Sequence, residues 1–418
     1  MHEGRPRLVI LGGGFAGLRI LFHLHETMDV TLVDPRSTSL SKPTLPEVAL
    51  AGKPVDHARF PLAPVVRRHG ARYVGAEATR IDPDLRLVVL AGGETLAYDY
   101  LVVTAGAVKD YGAISGLEEH GYSVCDDTHA PALWRAIDEF GGGPVVTGAA
   151  RSTWGSRVDA PALAAPCEGP VGEVAFMAHH ELRHRHVDHS ITVFTPGEVF
   201  FDDVGDAVHQ AVGPLLEHAG VTVMKSKVIA EVAADHVRFE DGTEVSSALS
   251  IVIPPYRGPA VVSSSGLGDE AGFLAVDETM RALDDRRIFG AGDATARAMP
   301  KLGHIAVHQA DIAAAAVSAE VTGVGEVPAF RPEVFCIMNR GGAEATLILS
   351  DVLFGGRRDL ARGGSLAHLL KWGFDAWTFH TCGHLPPGGM QAALEAVLGS
   401  SDHPRPGHSQ PNRPGGAP

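Results

Sequence analysis

Six residues near the start of the chain, Gly12-Gly13-Gly14-Phe15-Ala16-Gly17, have the types and spacing to hold a phosphate. Gly12, Gly14 and Gly17 form G-x-G-x-x-G: one glycine makes a tight turn, the next lets backbone approach a pyrophosphate, and the third lets a helix pack close to a strand. Phe15 and Ala16 open that helix, whose unpaired N–H groups attract the anion. Asp34 lies about as far downstream as an acid that takes a ribose 2′-hydroxyl. The spacing alone is a weak signal in a chain with 49 glycines. Its weight comes from the apolar run Leu8 to Leu11 before it, the helical stretch Leu18 to Glu26 after it, and a second apolar strand, Val30 to Val33, that delivers Asp34. Together they predict an adenine dinucleotide site.

Thiols are the second source of chemistry. Cys125, Cys167, Cys336 and Cys382 are too dilute for a disulfide scaffold and show no C-x-x-C spacing, so by residue type each reads as a small buried hydrophobe. The stretch His180-Glu181-Leu182-Arg183-His184 fits H-E-x-x-H, which on a helix sets two imidazoles on one face for zinc. It sits among His179, His186 and His189 in a chain of 22 histidines, so solvent-facing histidines suffice and no metal is predicted.

The elements that would position these groups alternate between strand and helix. Lys42 to Ala49 holds two prolines and reads as a stiff loop, and Phe60 to His69 as a helix. Short alternating segments between Ala71 and Leu90 form a small antiparallel piece. Tyr98 to Gly106 is an apolar strand ending in the small residues Thr104, Ala105 and Gly106, where backbone can approach a ligand. A second α/β unit follows. Its strand at Pro144 to Thr147 leads into Gly148-Ala149-Ala150, which lacks the glycine spacing, and residues 174–186 read as a helix. Ile288 to Asp293 is a strand whose glycines, including Gly292, deliver one acid; His304 to Glu320 is an alanine-rich helix, and residues 334–350 a hairpin. Leu366, Leu369, Leu370, Phe374, Trp377 and Phe379 form an apolar stripe, and the tail from 399 lacks hydrophobes and reads as disordered.

Composition narrows the classes. A formal charge of −15 without a long basic run excludes an ordinary nucleic-acid binder. No uninterrupted apolar run reaches the ~18 residues of a spanning helix. The first residues run directly into a strand, which reads as cytoplasmic.

With these motifs in order, the sequence resembles the two-dinucleotide-domain flavoproteins of pyridine nucleotide-disulfide oxidoreductase type, in the branch that holds sulfide:quinone oxidoreductases, flavocytochrome sulfide dehydrogenases and type II NADH dehydrogenases. The resemblance implies an α/β fold of two Rossmann-like domains with a C-terminal cap region. It divides the chain into an FAD domain at 1–109 and 251–325, a second domain at 110–250, a C-terminal domain at 326–398 and a tail at 399–418. It implies FAD held by Gly12, Gly14, Phe15, Ala16, Gly17, Asp34, Lys42, Thr104, Ala105 and Gly106, with Gly292 and Asp293 at the ribityl chain. Lys301, in Pro300-Lys301-Leu302-Gly303, falls beside the isoalloxazine, where a cation stabilises charge developing on reduction.

The same resemblance implies redox roles for Cys125, after Gly121-Tyr122-Ser123-Val124, and for Cys167 and Cys336 as a pair across the flavin face. Glu168 is placed to relay a proton or to sit as a surface charge, and His304 or His308 to exchange a quinone proton. The implied activity is oxidation of sulfide or a related persulfide or thiol, with electrons passing through FAD to a quinone. A type II NADH dehydrogenase-like activity and a flavin and cysteine redox sensor are the alternatives. One departure is marked: residues 151–165 stand where the branch has a short glycine-rich loop, which weakens the NADH alternative. Implied partners are a small sulfur species, a quinone and, through residues 366–379, the inner face of the cell membrane; self-association stays open.

Overall fold

Two five-stranded parallel sheets dominate residues 4–384, which the computed structural model describes. In the first, the strand Arg7–Leu11 lies between Asp29–Val33 and Tyr100–Val103, with Arg72–Val74 and Ile288–Gly290 at the edges. Val9 stands opposite Thr31 on one side and Leu101 on the other. Parallel strands are covered on both faces, which is why these segments read as unbroken apolar runs. The helices Phe15–Leu24 and Gly303–Thr322 pack on each other; Ala306, Ala310, Ala313 and Ala314 are buried, and such short side chains allow a close approach.

The second sheet has the order Gly121–Tyr122, Leu249–Ile253, Gly143–Ala149, His189–Phe194, Thr222–Met224, again parallel throughout. Each five-stranded sheet is accompanied by a three-stranded antiparallel one, at residues 78–97 and 229–246.

Three local expectations change. The helix expected from residue 174 begins at Gly169, directly after Cys167-Glu168, because Pro170 fits its first turn. The Lys42–Ala49 stretch is no loop: a 3-10 turn, Lys42–Thr44, passes into the helix Leu45–Ala51, with each proline in a first turn where its missing N–H costs nothing. Phe60 belongs to a short strand, Arg59–Pro61, paired with Thr38–Leu40, and the helix starts only at Leu62.

Beyond these units, Val334–Gly341, Glu344–Ser350 and Asp359–Gly364 form an antiparallel sheet, one strand more than the expected hairpin. The helix Ser365–His380 follows, and its amphipathicity is inverted. Ala367, Lys371 and Thr378 are buried, whereas Leu366, Leu369, Trp372 and Trp377 are exposed. Lys371 reaches the carbonyl of Pro43 at 2.8 Å and pairs with Asp375 at 2.6 Å, which satisfies the inward charge. No described helix is long and apolar enough to cross a membrane, and the expected tail lies outside the described residues.

Candidate active site

The glycine turn is tight for two separate reasons. Gly12 has φ of +108°, and a Cβ there would lie 2.4 Å from the Thr104 carbonyl oxygen; one on Gly17 would lie 1.9 Å from the Gly12 oxygen. Gly14 differs, since a Cβ there meets nothing within 4 Å, and the same holds for Gly106. Gly14 also caps the helix Phe15–Leu24 without any side-chain bond, which leaves the first-turn N–H groups for a ligand. The Thr104 hydroxyl donates to Leu11 and Gly12 carbonyls and pins the two loops together, with Ala105 beside Gly12. Gly292, at φ of +74°, donates its N–H to Gln309.

Asp34 is buried and heavily engaged. It accepts the Gly13 N–H at 2.7 Å and the backbone and guanidinium of Arg36, so a ribose hydroxyl has to share it with that fork. A cavity of about 590 Å³ lined by Pro35, Arg36, Thr38, Arg59, Phe60 and Asp127 opens beside this strand end. Open backbone at Gly14, free helix N–H groups and an acid at the next strand end fit a dinucleotide diphosphate.

Around Asp293 the charges are concentrated. Its carboxylate pairs with Lys42 at 3.1 Å; burial pushes it up, but Lys42, Lys109 and Lys301 outweigh burial and hold it at about 2. Lys109, pushed down to about 7 by burial and by Lys42, lies 4.7 Å from the Tyr256 ring. Lys301 is anchored beside Asp293. Its ammonium is committed to the carbonyls of Asp293 and Thr295 at 3.0 and 2.8 Å and lies 3.9 Å from the Phe273 ring centroid, with Trp154 beyond. It fastens the Asp293 turn rather than presenting a free cation, and burial lowers its proton affinity to about 7.

The cysteines fall into two groups. Gly169 follows Cys167 by two residues, and the Cys336 Sγ lies 3.7 Å from where a Cβ on Gly169 would be; the charge of Cys336 also bears on Cys167. Both are free thiols. Burial pushes Cys167 well above its ordinary value and Cys336 up to about 12, and Asp203 adds to both. Cys125 accepts the Tyr256 hydroxyl at 3.7 Å; burial raises its thiol, and Tyr256 feels the charges of both Cys125 and Cys167. Cys382 packs elsewhere, against the first core.

Glu168 is not a surface charge. It is buried, accepts the Phe201 N–H at 2.7 Å, and is raised to about 7, chiefly by burial. His180 and His184 do share a helix face, with ring centroids 6.4 Å apart, but His180 lies against Gly341 and Gly342, and no metal-binding group of side chains occurs among the described residues. His304 pairs with Glu333 at 3.3 Å, and His308 is held below its ordinary value by burial and by His304.

Several site residues escaped the sequence reading. Glu173, raised to about 7 by burial, acts on Cys336; Asp203 acts on both cysteines; Lys109 and Tyr256 flank Cys125. Lone charges inside apolar stretches, such as Glu173 and Lys371, were the available signal. The segment 151–165 also acquires a definite place. Trp154 packs 5.7 Å from Phe273, Ser156 binds Glu270, and Arg157 forms a two-bond pair with Asp284.

A family model for pyridine nucleotide-disulphide oxidoreductases matches residues 6–310. The chain is 25% identical over 94% of its length, and 95% of the relative's, to the sulfide-quinone reductase of Aquifex aeolicus. It is 26% identical to an NADH dehydrogenase-like protein of Mycobacterium tuberculosis over 70% of this chain and 74% of that one. The crystal structure of the sulfide:quinone oxidoreductase from Aquifex aeolicus superposes with a TM-score of 0.84 at 24% identity, covering 94% of this chain and 95% of that one. With the open glycine turn and the engaged acid behind it, this chain is an FAD-dependent oxidoreductase that belongs to the pyridine nucleotide-disulphide oxidoreductase family.

Proposed function

We propose that this chain oxidises sulfide, or a related persulfide or thiol, at Cys167 and Cys336, passes the electrons through FAD, and reduces a quinone. The observation that carries this reading is that the Cys336 sulfur lies against Gly169, two residues after Cys167, although the two cysteines are far apart in sequence. The similarity to a sulfide-quinone reductase over nearly the whole chain supports it. FAD, when bound, supplies the two-electron acceptor between sulfur and quinone.

The chain's own residues divide the remaining work. Gly12, Gly14, Gly17 and the first turn of the helix Phe15–Leu24 hold the diphosphate. Asp293, kept ionised by Lys42, Lys109 and Lys301, presents a fixed carboxylate to the ribityl hydroxyls. Cys167 and Cys336 alternate between a sulfur-bonded pair and a persulfide with a thiol. Lys371 ties the C-terminal helix to Pro43, next to Lys42. The exposed Leu366, Leu369, Trp372 and Trp377 seat that helix on the cytoplasmic surface of the membrane, from which a quinone enters.

The NADH reading draws on the Mycobacterium tuberculosis relative but meets an obstacle in residues 150–168, which replace a glycine turn at the end of the strand Gly143–Ala149. Anaerobic stopped-flow absorbance separates the two. Sulfide is expected to bleach the flavin and NADH to leave it oxidised, with a quinone analogue restoring the oxidised spectrum. Cys167→Ser and Cys336→Ser should each slow bleaching by sulfide at least ~100-fold while dithionite still reduces the flavin. Rapid bleaching by NADH and none by sulfide overturns the reading.

A further inference from the structure

Past the helix Ser365–His380 the chain folds back onto the first unit and is fastened there by close contacts. The Thr381 hydroxyl lies 2.7 Å from the Trp377 carbonyl and 3.0 Å from that of His384, and the Gly383 N–H donates to the Thr378 carbonyl at 2.8 Å. Gly383 has φ of +97°, and a Cβ there would stand 2.9 Å from Leu18 and 3.0 Å from Phe60, so only glycine lets the chain come this close. Half-buried Cys382 packs on the same core. The His384 ring then lies flat on Phe22, with centroids 3.7 Å apart and planes 9° from parallel. Leu18 and Phe22 belong to the helix Phe15–Leu24, which follows the glycine turn. Residues 381–384 thus clasp the end of the C-terminal helix to that first helix.

The surroundings of His384 are basic. The His69 ring lies 5.6 Å from it and 4.8 Å from the His25 ring. His69 caps the C-terminus of the helix Leu62–Arg68 and His25 that of the helix Phe15–Leu24. Each sets Nδ1 against carbonyls of its own helix, Val65 for His69 and Leu21 and Phe22 for His25. These are helix ends that attract positive charge. Arg19 and Arg68 face His384 as well. Asp311, the carboxylate beside Arg19, is divided between that guanidinium and His23. Among the described residues none of the three rings pairs with a carboxylate. A single imidazolium on an aromatic face is attracted to it. Here burial, with His69, Arg19, Arg68 and His25, outweighs that attraction and holds His384 below its ordinary value.

We propose that residues 381–384 form an acid-sensitive clasp, in which protonation of the cluster His25, His69 and His384 releases the end of the C-terminal helix from the first unit. The inference stands apart from the sulfur chemistry above, since neither thiol nor quinone enters it. The docked His384 ring resists a proton that the released ring accepts at its ordinary 6.5. The clasp is therefore fully held above 6.5 and weakens as pH falls below it. On the function proposed above, the helix that carries the exposed Leu366, Leu369, Trp372 and Trp377 would then be loosened from the flavin unit only when its surroundings acidify.

Cys382 reports the state of the clasp. Flavin-loaded protein is labelled with a dipyridyl disulfide at about pH 7.5 and at about pH 5.5, on either side of the imidazole range. The modified Cys382 peptide is quantified by mass, and each rate is divided by that of the denatured chain at the same pH. Wild type is expected to react at least ~3-fold faster at the lower pH. His384→Phe keeps a stacked ring without a titrating nitrogen and should stay protected at both. Gly383→Ala cannot make the close approach to Leu18 and Phe60 and should react quickly at both, with its flavin content unchanged. His69→Gln removes a neighbouring charge and should react more slowly than wild type at the lower pH. The proposal is overturned if wild type stays protected at the lower pH or if His384→Phe opens on acidification as wild type does. It is equally overturned if His69→Gln matches wild type there, or if Gly383→Ala is as protected as wild type.

Discussion

The two parallel sheets share one plan and finish their central strands in opposite ways. In the first, Leu11 turns through Gly12, Gly13 and Gly14 straight into a helix whose cap, Gly14, makes no side-chain bond to the first turn. In the second, the strand ends at Ala149, and residues 150–168 intervene before the helix begins at Gly169, beside the Cys336 sulfur. One helix starts at a glycine with open space around it and the other starts beside a thiol. The intervening residues also cross to the first unit, since Ser156 and Arg157 bind Glu270 and Asp284. On the function proposed above, the same strand-to-helix junction holds the cofactor in one unit and presents a thiol in the other.

The largest effect should come from adding one methyl group at each junction. Gly14→Ala fills space that no protein atom occupies, so the fold accepts it while the diphosphate loses its close approach to backbone. Purified Gly14→Ala is expected to keep its far-ultraviolet dichroism and retain less than about a tenth of the wild-type flavin absorbance per chain. Gly169→Ala meets only the Cys336 sulfur at ordinary contact distance and should keep its flavin. If both variants hold flavin equally, the two junctions do not differ in the way described.

This contrast was half legible in the sequence. The first junction announces itself because its physics is local: glycine is required where backbone must turn or come close, and Gly12, Gly14 and Gly17 say so without reference to the rest of the chain. The absence of the second glycine turn was equally local. What stood in its place was not. Cys336 comes to lie beside Gly169 because the strand Val334–Gly341 packs on the helix Gly169–His184, and the spacing of two cysteines carries no trace of that packing. Asp203 gave still less warning, since burial of a carboxyl depends on neighbours from other elements. Lys301 shows the same limit: its motif fixed its place in the chain, while Phe273, Trp154 and two carbonyls fixed the surroundings of its charge.

The two regions should also respond to pH in opposite directions. Asp293 is held at about 2, below its ordinary 3.8, so its stabilising contribution is complete above 3.8 and is lost as pH falls toward 2. Glu168, Glu173 and Asp203 are each raised to about 7 from ordinary values of 4.5, 4.5 and 3.8. Their contribution is complete below the ordinary values and is lost as pH climbs through 7, because the unfolded chain releases those protons first. Asp203→Asn should flatten the decline in thermal stability between about pH 5 and 8, with an effect on the order of 2 kcal/mol. Asp293→Asn should leave that limb intact and alter only the acid side. Melting temperatures across the pH range check both, and a common slope for the two variants breaks the distinction.

The smallest effects belong to the residues that hold the 150–168 crossing in place, and their ranking tests what kind of attachment it is. Trp154 is half-buried, donates its indole N–H to the Leu163 carbonyl at 2.6 Å, and packs beside Phe273 and the Lys301 ammonium. Trp154→Ala removes apolar contact, a cation–aromatic interaction and a hydrogen bond at once, and should cost roughly 1–3 kcal/mol. Arg157 makes two good bonds to Asp284, but about a third of each side chain is exposed, so water competes for both ends. Arg157→Ala should cost under about 1 kcal/mol, less still at high salt. Denaturant unfolding of the two variants at low and high ionic strength gives the ranking. An Arg157→Ala loss as large as that of Trp154→Ala would mean that charge rather than packing fastens this crossing, and the second junction would then loosen with salt while the first, built from backbone alone, would not.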